Sequence, residues 1–392
     1  MKISKNDLYS YLLGIWSFAF ITLISSNFIE IEYMGKLYGA IWLVVRISLI
    51  CIIFSNIKRS RDVFVIISLM LLLIVSLYYT NYPKTGEVET IVLFILAAKN
   101  IDLRNAIKSL LISHCFAFIV VVCSSHVGLI ENSVMPRMDG TIRQTWGFSH
   151  PNHFGAVVLH ILVMYIYLKK GLIRWDGYIY MLLCMLLVYV VPNSQTAFMM
   201  IVYLMVLCIT NNVRNSKIRL INKWAGDIIN SLRFLIIVIA IITIGIAAGL
   251  IDETILPVME SDSTLQSRIV QMILYYQTYG VSLFGTAIEI STEQGNSDLF
   301  TLDNGYAYLL LMYGVVIFLL FIFCYFCIAK RAAKEKNYEK IIAISIFAIV
   351  GFNETNMLRL VNNFTLLFFA ELLWNSKQVT EKNIKWNVPP IS

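Results

Sequence analysis

Leu309-Leu310-Leu311-Met312-Tyr313-Gly314-Val315-Val316-Ile317-Phe318-Leu319-Leu320-Phe321-Ile322-Phe323 is apolar apart from one tyrosine hydroxyl, and no charged residue falls between Asp303 and Lys330. A helix over 303–329 is long enough to cross the ~30 Å hydrocarbon core of a bilayer. Lys330, Arg331 and Lys334 close the run with cations. A soluble helix of this length carries a polar face, and this one has none. Working outward, comparable runs recur near 8–26, 37–55, 63–79, 87–99, 107–125, 152–168, 177–191, 196–210, 232–250, 340–352 and 361–375. The chain of 392 residues is 58% hydrophobic and only 14% charged. These features predict an all-α polytopic integral membrane protein with about twelve transmembrane helices. No stretch between spans is long enough to fold alone, so residues 1–392 are expected to form a single transmembrane domain. The first span is too long for a cleavable signal and lacks a small-residue cleavage site.

The basic residues set the orientation. With the N-terminus in the cytoplasm, twenty-four of the 31 Lys and Arg fall on inside segments. Six fall outside: Lys36, Lys84, Arg137, Arg143, Arg268 and Arg359. Arg46 lies inside a span. That bias implies an even number of spans and both termini in the cytoplasm. It also accounts for the net charge of +7, which is no argument for nucleic acid. All seven cysteines lie in or near apolar spans. Cys324-x-x-Cys327 has no second ligand pair for a metal, so packing is the simpler account.

Two outside loops stand out, near 126–150 and 251–302. The second is acidic, and Arg268 is its only base. Within it, residues 264–281 show helical periodicity. Leu265, Ile269, Met272, Ile273 and Tyr276 make an apolar face. Thr264, Ser267, Arg268, Gln271, Tyr275 and Thr278 make a polar one. This pattern predicts an amphipathic helix on the outer membrane surface.

The first loop ends in Thr145-Trp146-Gly147-Phe148-Ser149-His150-Pro151-Asn152-His153. Pro151 suits the first position of a helix, with Ser149 or His150 as its cap. Free N–H groups there favour an anion, and Arg143 and Arg137 lie just upstream. A capped helix with interfacial aromatics accounts for the same strip without a ligand. His150, His153 and His160 are too dispersed for zinc, and no metal is expected. A lone arginine in an acidic loop makes Arg268 a candidate anion ligand. Asp303 and Asn304 open the next span. Either serves as an N-cap, and Asp303 could also take a proton from a sugar hydroxyl. Arg46 reaches a diphosphate or pairs with a carboxylate. Pro192 to Thr196, and the last outside turn with Glu354, Asn356 and Arg359, could line a cavity. Nucleotide, dinucleotide and nucleophile-elbow motifs are absent from the sequence. A reaction at the outer face would then need an activated substrate already there.

The Trp146-Gly147-Phe148-Ser149-His150-Pro151-Asn152 strip resembles a stretch common in Wzy-type polysaccharide polymerases. Arg268, Leu283-Phe284-Gly285, Asp303-Asn304-x-Tyr306 and Tyr313-Gly314 follow the order of the C-terminal region that these polymerases share with WaaL-type O-antigen ligases. Asp303 stands where ligases often carry His. The Arg-to-Gly spacing is one residue longer than the family's, and Gln195 replaces a frequent Arg.

The resemblance implies a C-type glycosyltransferase fold and a metal-independent, cofactor-free transferase in the cytoplasmic membrane of a bacterium. It would join undecaprenyl-diphosphate-linked oligosaccharide repeats at the outer face. Arg268, Asp303 and His150 would be catalytic. Arg143, Arg137, Asn152, Asn304, Tyr306, Gln271 and Arg359 would bind substrate. A flippase and a chain-length regulator are the implied protein partners. An O-antigen ligase and a lipid-linked sugar flippase are the alternatives. Internal repeats, frequent in transporters, are not evident.

Overall fold

The computed structural model describes residues 4–80, 86–136, 140, 142–192, 194–214, 218–250, 264–288 and 302–374. Fourteen α-helices are seen among them. They are α1 (Lys5–Leu23), α2 (Met34–Ser55), α3 (Ser60–Thr80), α4 (Gly86–Ala97), α5 (Leu103–His126), α6 (Pro151–Leu168) and α7 (Trp175–Val190). Then come α8 (Gln195–Arg214), α9 (Arg219–Ser231), α10 (Leu235–Ala247), α11 (Thr264–Tyr279), α12 (Gly305–Lys334), α13 (Tyr338–Asn353) and α14 (Phe369–Trp374). Six helical stretches are long and apolar enough to cross a membrane among the described residues. They are α2, α5, α6, α8, α12 and the Leu220–Ala247 run that joins α9 to α10. The chain is a multi-pass α-helical membrane protein. Arg137, residues 251–263 and residues 289–301 of the acidic loop, and the basic C-terminal tail lie outside the described residues.

The helices pack around α6 and α13, both largely buried. α1 lies along α5, α6 against α8 and α13, and α12 against α10 and α13. At the end opposite the strip that opens α6, Lys340 Nζ donates to both Glu371 oxygens at 2.8 and 2.7 Å, tying α13 to α14. Lys99 pairs with Asp62 at 2.6 Å.

Several sequence expectations are corrected. The basic stretch between the eighth and ninth spans contains α9, and is not a plain loop. Leu220, Ile221, Trp224 and Ile228 recur at helical spacing and are exposed, whereas Ala225 and Ile229 are buried. The all-α expectation omits one hairpin, Val134–Pro136 paired antiparallel with Ile142–Gln144. The helix expected over 361–375 is broken. Thr355–Leu358 and Phe364–Phe368 are 3₁₀ turns, and only α14 is α-helical. Asn363 explains the break, because its Oδ1 accepts from Thr365 N at 3.1 Å while its Nδ2 donates to Met357 O at 2.7 Å. Two buried histidines also serve this segment. His160 Nε2 accepts from Phe364 N at 3.2 Å, and His114 Nε2 lies 2.8 Å from Val361 O. Irregular backbone within a membrane bundle survives only where protein or water satisfies it.

α12 is interrupted at Gly314, where φ is +79° and ψ is 174°. The Leu283–Gly285 chain crosses the interruption. Val315 N donates to Ser282 O at 3.0 Å, Val316 N to Leu283 O at 3.2 Å, and Thr286 N to Leu311 O at 2.9 Å. A Cβ on Gly285 would stand 2.0 Å from Met312 O, so the crossing needs glycine.

Candidate functional site

His150 is the N-cap of α6, with its Nδ1 accepting from Asn152 N at 3.1 Å, and Pro151 follows at the first position. That bond places the proton of the neutral ring on Nε2. Burial, then the nearby Arg143 charge, pushes the His150 imidazolium down to about 4. His150 is therefore a neutral imidazole with Nε2 as its donor, and is poorly suited to be the base.

The hairpin presents Arg143 opposite Met135. Arg143 is buried; its Nε donates to Pro192 O at 3.0 Å and its Nη2 to Asn152 Oδ1 at 2.7 Å. Asn152 Nδ2 donates in turn to Glu354 Oε1 at 3.2 Å. Thr196 Oγ1, at the start of α8, reaches the same oxygen at 3.5 Å. Gly155 permits this approach of α8, since a Cβ there would lie 2.5 Å from Ser194 Oγ.

Arg268 enters from α11. Its Nη1 donates to Asn353 Oδ1 at 3.2 Å, and its Nη2 lies 3.5 Å from Glu354 Oε1 and 3.8 Å from Asp303 Oδ2. Its enclosed Nε has no acceptor among the described residues. Glu354 Oε1 is thus the point that Arg268, Asn152 and Thr196 reach directly and Arg143 reaches through Asn152. Burial lifts its carboxyl to about 7, against the opposing pull of Arg268. Burial also raises the Asp303 carboxyl, again opposed by Arg268. The resulting arrangement holds two guanidinium groups beside two carboxylic groups with raised proton affinity, a pattern found at sites that move protons and anions.

The structure brings together Arg143, Asn152, His150, Arg268 and Asp303 of the predicted set. Arg359 lies near the same first turn of α6, and its charge acts on His153. Gln271 is half-buried on α11, one turn from Arg268. Two residues serve the fold instead. Asn304, and not Asp303, caps α12: its Oδ1 accepts from Ala307 N and its Nδ2 donates to Phe352 O, both at 2.8 Å. Tyr306 is fully buried and donates to Ala348 O at 3.0 Å, within the contact between α12 and α13. The expected polar face of α11 is also corrected at Tyr275, which is fully buried and stacks on Tyr279.

Glu354 is the residue that sequence reasoning underrated. It was one of several polar groups in the last outside turn. The available signal was a carboxylate directly after a long apolar helix, in a short outside turn that also carries Arg359.

No family model matches the chain, and neither a curated protein nor a solved structure matches it significantly.

Proposed function

We propose that this protein is a polysaccharide polymerase of the Wzy type. In this proposal it spans the cytoplasmic membrane of a bacterium about twelve times, with both termini inside. The growing glycan on undecaprenyl diphosphate is the donor, and a new lipid-linked repeat is the acceptor. The acceptor hydroxyl oxygen attacks the anomeric carbon as the bond to the diphosphate breaks. The diphosphate leaves with the electron pair, and the hydroxyl proton passes to a carboxylate. Glu354 is the proposed base, with its Oε2 facing the acceptor. Asp303 is near enough to Arg268 to share in that role. Arg268 and Arg143 offset the charge that develops on the leaving group, a form of electrostatic stabilisation. His150 donates its Nε2 proton to a phosphate or sugar oxygen.

The observation that carries this proposal is the half-buried Glu354 carboxyl, which Arg268 approaches directly and Arg143 reaches through Asn152. A carboxyl raised to about 7 is suited to take up a proton near neutral pH, as a general base does. The test uses purified protein in lipid with synthetic undecaprenyl-diphosphate repeat units, without nucleotide or added metal. A ladder of lengths is expected from the wild type and none from Arg268→Ala at equal expression. A ladder from Arg268→Ala would overturn the assignment. Transfer of preformed polymer without a ladder would identify a ligase instead.

A further inference from the structure

An open cavity of about 760 Å³ lies between the start of α7 and the end of α8, two helices packed side by side. Thr196 holds the other end of α8 at Glu354, so the cavity is at the end away from the candidate site. Asn212 of α8 fixes the cavity's shape by bonding the segment that leads into α7. Its Oδ1 accepts from Ile173 N at 3.3 Å, and its Nδ2 donates to Ile173 O at 2.7 Å and to Tyr178 Oη at 2.8 Å. The Tyr178 hydroxyl accepts that bond and keeps its own proton to donate. Arg174 and Asp176 also line the cavity, and both are exposed. Arg174 is the N-cap of α7, and its side chain makes no capping bond.

The remaining walls are apolar, and they continue along both helices. On α7, Trp175, Ile179, Leu182 and Leu186 follow one another at three- and four-residue intervals, all exposed. On α8, Val213, Ile209 and Val206 do the same. α8 is long and apolar enough to cross a membrane, so an exposed apolar stripe on it faces hydrocarbon. The charged cavity is where these stripes stop, at the level of the lipid headgroups. Trp175, 86% exposed, suits that level.

We infer that this cavity is a binding site for a membrane phospholipid whose headgroup carries a phosphate and a primary ammonium, with its acyl chains along the two stripes. Arg174 and Tyr178 donate to the phosphate, and Asp176 accepts from the ammonium N–H groups. The pairing of one cation with one anion selects the class. A headgroup with phosphate alone sets its charge against Asp176. A quaternary ammonium has no N–H to give to the carboxylate. The lipid so bound joins α7 to α8. This site needs only a bilayer and stands apart from the polymerase proposal.

The experiment titrates lipid-depleted full-length protein in detergent with phosphatidylethanolamine, phosphatidylcholine or phosphatidylglycerol of matched chains. Bound lipid is counted by native mass spectrometry. The wild type is expected to hold phosphatidylethanolamine about fivefold more tightly than the other two. Arg174→Gln should weaken that binding about fivefold. Asp176→Asn should erase the preference over phosphatidylglycerol. A wild type without preference would overturn the headgroup assignment. So would two variants that both bind as the wild type does, because the site would then lie elsewhere. Undecaprenyl phosphate is added as a competitor. Its displacing the bound phosphatidylethanolamine at equal concentration would make the cavity a site for the isoprenoid, and the proposal would fall.

Discussion

Glu354 concentrates the chemistry of the outer end. Its carboxyl rises because burial disfavours the charged form more than Arg268 and Arg143 favour it. A base must be deprotonated to act, so the transfer rate is expected to climb with pH and level off above about 7. A pH–rate profile measured well below substrate saturation checks this. Glu354→Gln keeps the size and most of the hydrogen-bonding shape but cannot take the proton. Its rate should fall about 10²–10⁴-fold and lose the rising limb. If the limb persists in Glu354→Gln, the base is elsewhere, with Asp303 the next group to replace. Arg268→Lys keeps the charge without the planar fork, so it should recover only part of the activity lost in Arg268→Ala. A steady-state comparison of the three proteins decides it.

Broken helices set the positions of these residues. α12 ends its first half at Gly314, and the chain after α11 supplies the hydrogen bonds that the interruption releases. This crossing couples α11, and so Arg268, to the helix that Asp303 precedes. Gly314→Ala forces a side chain into a positive-φ position 2.4 Å from Leu283 O. The expected result is a lower melting temperature together with loss of activity. A variant with wild-type melting and activity would show that the crossing is dispensable. The 355–368 segment has a similar dependence on side chains. His114 and His160 meet at 3.0 Å between α5 and α6 and serve its backbone at Val361 and Phe364. The apolar pattern of 361–375 was legible as a membrane segment. Its irregular path was not, because the deciding partners come from α5 and α6.

Across the whole molecule, the buried Lys340–Glu371 pair fastens the last helix to α13. Removing one partner strands a charge in the bundle. Glu371→Leu alone should therefore destabilise by about 3–5 kcal/mol, and Lys340→Met/Glu371→Leu together should recover most of that. Thermal unfolding in detergent gives both values. Equal losses in the single and double variants would mean that the pair has no such role. The orientation inferred from Lys and Arg places Lys330 and the other cations after α12 inside, and Arg359 outside. Membrane-impermeant labelling of single cysteines introduced at Lys336 and Asn132 checks this, with only the second expected to react from outside.

Composition and periodicity alone determined that this chain is helical and crosses the membrane repeatedly, because each span must satisfy its own backbone in lipid. The cap of α6, formed by His150 and Pro151, was also legible, since capping is local chemistry. Amphipathic α9 was missed because its 13 residues are too short and too polar to read as a span, and its apolar face holds only a few residues. Tertiary structure alone decided which polar groups at the outer end meet. Asn304 and Tyr306 looked like site residues but are consumed by α13 backbone. Glu354 became the hub because α6, α8, α11 and α13 all end against it. A carboxylate's environment depends on contacts between segments distant in sequence, and no local pattern encodes them.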